Sequence, residues 1–110
     1  MRFHEYQVMA HEFSKNTLIG ENPYLYPVLG LGGETGELEN VVKKIFRDDK
    51  GIMTEEVKRK IFHELGDALW YISEISSKLD INLDDIAFEN IQMLKGRQNR
   101  GTVSGSGEER

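Results

Sequence analysis

The sequence predicts an all-α protein, a four-helix up-and-down bundle that also self-associates through its helix faces. Three observations predict this fold class: apolar residues recur at helical spacing in four segments, helix-breaking residues separate those segments, and no segment alternates with the period of a strand. A chain of 110 residues has room for one core. We therefore expect one helical domain over residues 1–100 and a Gly- and Ser-rich tail over residues 101–110.

The first two helices are expected on either side of a loop at residues 20–23. Helical spacing in the first segment, about residues 2–15, is carried by five side chains: Phe3, Tyr6, Met9, Ala10 and Phe13. Pro27 suits the first turn of the second helix, because a residue in that turn needs no N–H partner. The second helix should run to about residue 47, before the polar segment 48–51.

The third helix is expected to begin after Thr54, which resembles an N-cap, and to run to about residue 79. Its main apolar stripe has six members: Ile61, Leu65, Ala68, Ile72, Ile75 and Leu79. Trp70 lies opposite that stripe, so we expect this helix to bury two faces, one of them against another subunit. Stacking of Trp70 or Tyr71 on a nucleobase is the alternative to core or interface packing.

The fourth helix is expected over about residues 83–98, after a short turn at residues 80–82. Its stripe consists of Leu83, Ile86, Ala87 and Leu94, with Asn90 at the centre. A buried amide needs partners for both its donor and its acceptor. Asn90 is therefore a candidate site residue, with a helix-to-helix hydrogen bond as the alternative.

Composition excludes several classes of function. The formal net charge of −5 argues against a protein that coats nucleic acid. Without cysteine, the chain has no thiolate zinc site, disulfide framework or thiol nucleophile. No apolar run approaches a membrane span of about 20 residues, and the N-terminus lacks the apolar core of a signal peptide. We expect a cytoplasmic protein without a membrane or nucleic-acid partner.

Two acidic pairs stand at helical spacing, Glu34 with Glu37 in the second helix and Glu64 with Asp67 in the third. Residues three apart share a helix face, so two adjacent helices would gather four carboxylates. Such a cluster repels itself unless a hard cation binds it, and oxygen ligands suit Mg²⁺ or Mn²⁺. The spacing therefore predicts a metal site.

Each acidic pair also has a purely structural interpretation. Glu34 and Glu37 fall within or beside an apolar stripe, where an ion pair at the edge of the core would satisfy them. Asp67 lies further from its stripe, near Glu74 and Lys78, and a solvated acidic edge explains it equally well.

A glycine-rich segment, residues 30–36, does not match a phosphate-binding loop, because no Gly-Lys-Ser/Thr follows it. Its glycines are expected to allow close helix approach or to give the carboxylates room. Lys44 lies on the Glu37 edge of the second helix and is either a phosphate-binding residue or an ordinary exposed lysine.

The motifs taken together resemble one family. Residues 30–38 read Gly-Leu-Gly-Gly-Glu-Thr-Gly-Glu-Leu, residues 64–71 read Glu-Leu-Gly-Asp-Ala-Leu-Trp-Tyr, and Asn90 and Arg97 follow. This combination resembles the MazG-like all-α nucleoside triphosphate pyrophosphohydrolases, whose signature is Glu-x-x-Glu followed after an interval by Glu-x-x-Asp. The resemblance extends from Tyr6-Gln7 to the tail and is closest to short, stand-alone and often phage-borne members.

The resemblance implies a hydrolase that converts a nucleoside or deoxynucleoside triphosphate to the monophosphate and pyrophosphate. The ligands that it implies for Mg²⁺ or Mn²⁺ are four carboxylates: Glu34, Glu37, Glu64 and Asp67. Water would attack the α-phosphorus, Glu34 or Glu37 would accept its proton, and Lys44, Asn90 and Arg97 would orient the phosphates or sugar. It also implies a homodimer or homotetramer with sites near subunit contacts.

One position departs from the family pattern, and two other functions compete with this one. Many relatives have Lys three residues after the Asn, where this chain has Met93. Either Lys95, Arg97 or Arg100 supplies the positive charge of the missing Lys, or this chain binds a triphosphate less tightly than those relatives do. The competing functions are a non-catalytic bundle that binds nucleotides or a protein partner through the Trp70 face, and a relative acting on another phosphorylated metabolite.

Overall fold

The computed structural model describes residues 1–15 and 21–101 and contains four α-helices in chain order: α1 (Phe3–His11), α2 (Leu25–Asp48), α3 (Glu55–Lys78) and α4 (Leu83–Arg100). All regular elements in these residues are helical, which confirms the predicted all-α class. Part of the predicted loop at residues 20–23 and nearly all of the 101–110 tail lie outside the described residues.

The helix ends follow local side-chain chemistry. Thr54 accepts a hydrogen bond from the Val57 N–H at 3.1 Å and so caps the start of α3. Asn82 caps α4 in the same way, accepting from the Asp84 N–H at 3.0 Å. Pro27 falls in the first turn of α2, as its sequence position predicted.

Only α1 differs clearly from its expected length, since it ends at His11 instead of near residue 15. The prediction extended the helix to Phe13 because Phe13 continues the apolar spacing. In the structure the Phe13 side chain is 77% exposed, so no packing stabilises a further turn.

The most extensive helix contacts join α2 to α3, while α1 lies on α3 and α4 packs chiefly against α1. Trp70 of α3 belongs to the α1 contact, where its indole N–H donates to the Ala10 carbonyl at 3.0 Å. Trp70 therefore packs between α1 and α3 in this chain. None of the described helices has the length and apolarity that crossing a membrane requires.

The apolar stripe predicted for the third helix is not buried within the single chain. Leu65, Ile72 and Leu79 are all exposed, and Leu65 retains 53% of its accessible surface. The other three members of the stripe, Ile61, Ala68 and Ile75, are half-buried. The Cα radius of gyration is 16.9 Å, whereas a compact chain of this length is expected to have about 13 Å.

The buried residues of α3 are polar. Glu74, which the projection places near Asp67 and Lys78 and away from the apolar stripe, is 3% exposed. It is buried because α1 packs on this edge. The Glu74 carboxylate lies 3.1 Å from His11 Nδ1 and 3.9 Å from Lys78 Nζ, so two basic groups offset its burial.

Candidate metal centre

The packing of α2 on α3 brings three of the four predicted acidic side chains to one place. Oxygen atoms of Glu34, Glu64 and Asp67 all lie within 4.8 Å of one another, and we call this group the carboxylate cluster. Glu34 comes from α2, whereas Glu64 and Asp67 come from consecutive turns of α3. Glu37, one turn after Glu34, is exposed and stands outside this group, although its charge acts on Glu34.

Burial is uneven across the carboxylate cluster. Glu34 and Glu64 are half-buried, while Asp67 is exposed. The Glu64 Oε2 atom is fully buried and has no hydrogen-bond partner among the described residues. A buried carboxylate oxygen without a partner is strongly unfavourable, so this atom calls for a proton or a cation.

Crowding raises the pKa of Glu34 above its ordinary value. Burial is the largest cause, followed by a hydrogen bond with Glu64 and by the charges of Asp67, Glu64 and Glu37. Carboxylates this close repel one another when they carry charge, and a bound cation would relieve that repulsion.

Charges of the carboxylate cluster act on two tyrosines. Burial and the charge of Asp67 raise the pKa of Tyr6, which α1 contributes. Burial, followed by Tyr26 and the charges of Glu34 and Asp67, raises the pKa of Tyr71 on α3. Both phenols therefore remain O–H donors at neutral pH and could face a negatively charged ligand.

Sequence reasoning did not assign either tyrosine to the metal site. The sequence assigns Tyr6 to the apolar spacing of the first helix and Tyr71 to packing or stacking. The pattern that could have identified Tyr71 is its spacing, because it follows Asp67 by one helical turn and shares its face. No comparable sequence pattern marks Tyr6, which reaches the site only through the packing of α1.

Gly30 allows the Tyr71 ring to lie directly against the backbone of α2. A Cβ atom at position 30 would overlap ring atoms of Tyr71. This is the close helix approach expected for the glycine-rich segment. On its other side, the Tyr71 ring meets Trp70 edge to face, with ring centroids 5.2 Å apart.

Lys44 lies away from the carboxylate cluster of its own chain. Lys44 lines a small pocket with Asp49 and Lys60, and it follows Glu34 by ten residues, a rise of about 15 Å along the helix. Arg97 is buried on α4 and is engaged by other groups.

Asn90 corrects the sequence-based expectation for α4. The projection placed it at the centre of a buried stripe, but it is exposed in the structure. The physical reason is that α4 packs chiefly against α1, which leaves much of the α4 stripe uncovered; Ile86 is 40% exposed.

The chain is similar to a phage protein. It is 41% identical over 85 residues to the Gene 37 protein of Mycobacterium phage L5, and the match covers 77% of this chain and 75% of the relative. The name of that relative states no activity. No family model matches the chain. No solved structure matches it either.

Proposed function

The chain belongs to the family of the phage Gene 37 protein, and we propose that it hydrolyses a nucleoside or deoxynucleoside triphosphate to the monophosphate and pyrophosphate with a divalent cation. The carboxylate cluster carries this proposal. Three carboxylates whose oxygens lie within 4.8 Å of one another form an all-oxygen donor set of the kind that holds Mg²⁺ or Mn²⁺. The motifs that resemble the MazG-like pyrophosphohydrolases add the substrate class and the reaction.

The donor set fits such an ion chemically. Glu34, Glu64 and Asp67 would hold it, and the unpartnered Glu64 Oε2 would gain a partner. Glu37 would add negative charge from one turn away and could become a ligand by changing its rotamer. When bound, the ion lowers the pKa of a coordinated water and neutralises charge on the phosphate oxygens.

The protein's own side chains then orient the reactants. Glu34 or Glu37 would accept the proton of the attacking water, because Glu34 belongs to the carboxylate cluster and Glu37 lies one helical turn from it. Tyr6 and Tyr71 would donate their O–H groups toward phosphate oxygens at the border of the site. The bond between the α- and β-phosphates breaks, and pyrophosphate leaves.

Self-association belongs to the same proposal. Within residues 1–15 and 21–101, few apolar side chains are buried: Ala10, Ile45 and Leu83. Large apolar side chains of α2, α3 and α4 remain exposed, among them Leu29, Leu65 and Ile91. A MazG-like homodimer or homotetramer would cover these faces. Lys44, distant from Glu34 in its own chain, would reach a carboxylate cluster only from a neighbouring copy.

The test is a panel of common and modified nucleoside triphosphates assayed with Mg²⁺ for pyrophosphate and monophosphate. We expect the two products in equal amounts, with turnover lost in Asp67→Asn and Glu37→Gln proteins that remain folded. Glu39→Gln is the matched control, because Glu39 is an exposed acidic residue of α2, the helix that carries Glu37. Orthophosphate as the first product would contradict attack at the α-phosphorus.

A non-catalytic nucleotide-binding bundle is separated from the enzyme by the same assay. Such a protein would be stabilised by a triphosphate and Mg²⁺ without releasing pyrophosphate. The exposed apolar faces favour a protein-interaction module as a second candidate, and neutralising the carboxylate cluster would then leave partner binding unchanged.

A further inference from the structure

Gln7 uses its whole side-chain amide to join α1 to the turn between α3 and α4. Its Nε2 donates to the Ile81 carbonyl at 2.9 Å and to Ser77 Oγ at 3.2 Å. Its Oε1 accepts from the Leu83 N–H at 2.9 Å. Gln7 is only 8% exposed, so the amide is satisfied by protein groups in a largely dry position.

These contacts hold the start of α4. Leu83 is the first residue of α4, and its N–H has no partner within the helix. Gln7 supplies that partner from another helix, while Asn82 caps the next free N–H. Leu83 itself is only 4% exposed, so these hydrogen bonds lie beside a buried apolar residue. The helix contacts of α4 are chiefly with α1, the helix that carries Gln7.

We propose that Gln7 is a positioning residue that orients α4, and with it Asn90 and Arg97, relative to the carboxylate cluster. The orientation of α4 follows from the hydrogen bonds alone. The consequence for substrate binding rests on the proposed function and on the role that the MazG-like resemblance implies for Asn90 and Arg97, which would orient the phosphates or sugar.

The other polar contacts of α1 provide a matched control. Trp70 Nε1 donates to the Ala10 carbonyl, so this bond ties α1 to α3 and does not involve α4. Trp70→Phe removes it while keeping an aromatic ring. Gln7→Met removes the three Gln7 bonds while keeping the length of the side chain. A purely structural role for Gln7 predicts that both variants lose stability and nothing else.

The first measurement is the distance between α3 and α4 by double electron–electron resonance. The chain has no cysteine, so spin labels at Lys58→Cys and Glu89→Cys, both exposed positions, report on these two helices. Labelled protein is diluted with unlabelled protein so that only distances within one chain are read. We expect Gln7→Met to shift or broaden the distribution and Trp70→Phe to leave it unchanged. An unchanged distribution in folded Gln7→Met protein overturns the proposal.

The second measurement is triphosphate turnover. Misplacing the α4 groups weakens substrate binding, so Gln7→Met should raise KM by about tenfold with kcat and Mn²⁺ affinity little changed. Trp70→Phe should leave all three unchanged. Equal KM values for Gln7→Met and the parent protein contradict the role in substrate binding. Absence of turnover in every protein contradicts the proposed function, while the distance measurement still decides the role of Gln7.

If the Gln7→Met protein does not fold, Gln7→Glu replaces it in the distance measurement. The glutamate keeps the acceptor for the Leu83 N–H but has no hydrogen to donate to Ile81 or Ser77 when ionised. We expect the same change in the α3–α4 distance, and an unaltered distribution overturns the proposal in this variant as well.

Discussion

At the scale of single residues, the carboxylate cluster holds neighbouring carboxylates in positions where partial burial disfavours their ionised forms. Glu34 and Glu64 are half-buried, and Glu64 Oε2 has no hydrogen-bond partner in the described part of the chain. Without a cation, the folded state can relieve this repulsion only by keeping a proton that the unfolded chain would release. The stability of the metal-free protein should therefore fall as pH rises and this proton is lost.

The first prediction concerns that dependence. The folded chain raises the pKa of Glu34 above the ordinary value of 4.5, so the folded state binds more protons than the unfolded state just above that pH. The contribution of Glu34 should destabilise the metal-free protein as pH rises from 4.5 through the raised pKa. Glu34→Gln should remove this contribution and increase stability at neutral pH. Urea unfolding in EDTA across a pH series measures it, with Glu39→Gln as control; an unchanged slope in Glu34→Gln contradicts the prediction.

The second prediction uses the contact between Gly30 and Tyr71. Gly30→Ala places a Cβ within the Tyr71 ring, so Tyr71 or α2 must move, at a cost of about 1–3 kcal/mol. Gly33→Ala is the matched control, because open space surrounds that position and alanine favours the helix by up to about 1 kcal/mol. Chemical denaturation should show a less stable Gly30→Ala protein and an equally or more stable Gly33→Ala protein. Equal effects at both positions would contradict the close contact.

At the scale of elements, α1 depends on the rest of the chain. A helix of nine residues is too short to persist alone in water. Its docking on α3 is largely polar, through Gln7, Trp70 and the pair formed by His11 and Glu74. This docking also brings Tyr6 toward Asp67, so α1 links the fold to the border of the carboxylate cluster.

The third prediction tests this docking. His11→Ala removes the closest basic group from the buried Glu74 carboxylate, so we expect a loss of stability of about 1–2 kcal/mol. His4→Ala is the control, because His4 is an exposed residue of the same helix, and its effect should stay within about 0.5 kcal/mol. Hydrogen exchange should show faster opening of α1 amides in His11→Ala alone. Equal exchange in the two variants would contradict the role of His11.

Much of the secondary structure was predictable from local patterns, whereas the packing was not. Thr54 as a cap and Pro27 in a first turn act within one helix, so their sequence neighbours suffice to predict them. The three-residue spacing of Glu64 and Asp67 also fixes a common helix face. The burial of Glu74 and the exposure of Asn90 depend on which helix covers which edge, and a projection of one helix contains no information about that choice.

At the scale of the whole molecule, the chain leaves unusually large apolar surfaces uncovered. Leu65, Ile72 and Leu79 follow one another along α3 and are all exposed. Exposed apolar stripes of this length are typical of surfaces that pack against a partner. The proposed self-association would bury them and would supply the core that the single chain lacks.

The fourth prediction concerns this surface. Leu65→Glu places a charge in the middle of the stripe and should shift the protein from oligomer to monomer, or unfold it, because the charge would be desolvated in the interface. Gln92→Glu adds the same charge at an exposed polar position of α4 and should leave the oligomer intact. Sedimentation velocity over a range of concentrations measures both. A parent protein that is monomeric at every concentration would contradict the proposed assembly.

The most direct test of the central claim is a titration with Mn²⁺, followed by the electron paramagnetic resonance of the free ion. The parent protein should bind the ion, and Mg²⁺ should compete for the same site. Asp67→Asn removes one ligand charge and should weaken binding by about tenfold or more, whereas Glu39→Gln should bind like the parent. No binding by the folded parent protein, or equal weakening in the two variants, would contradict a metal site at Glu34, Glu64 and Asp67.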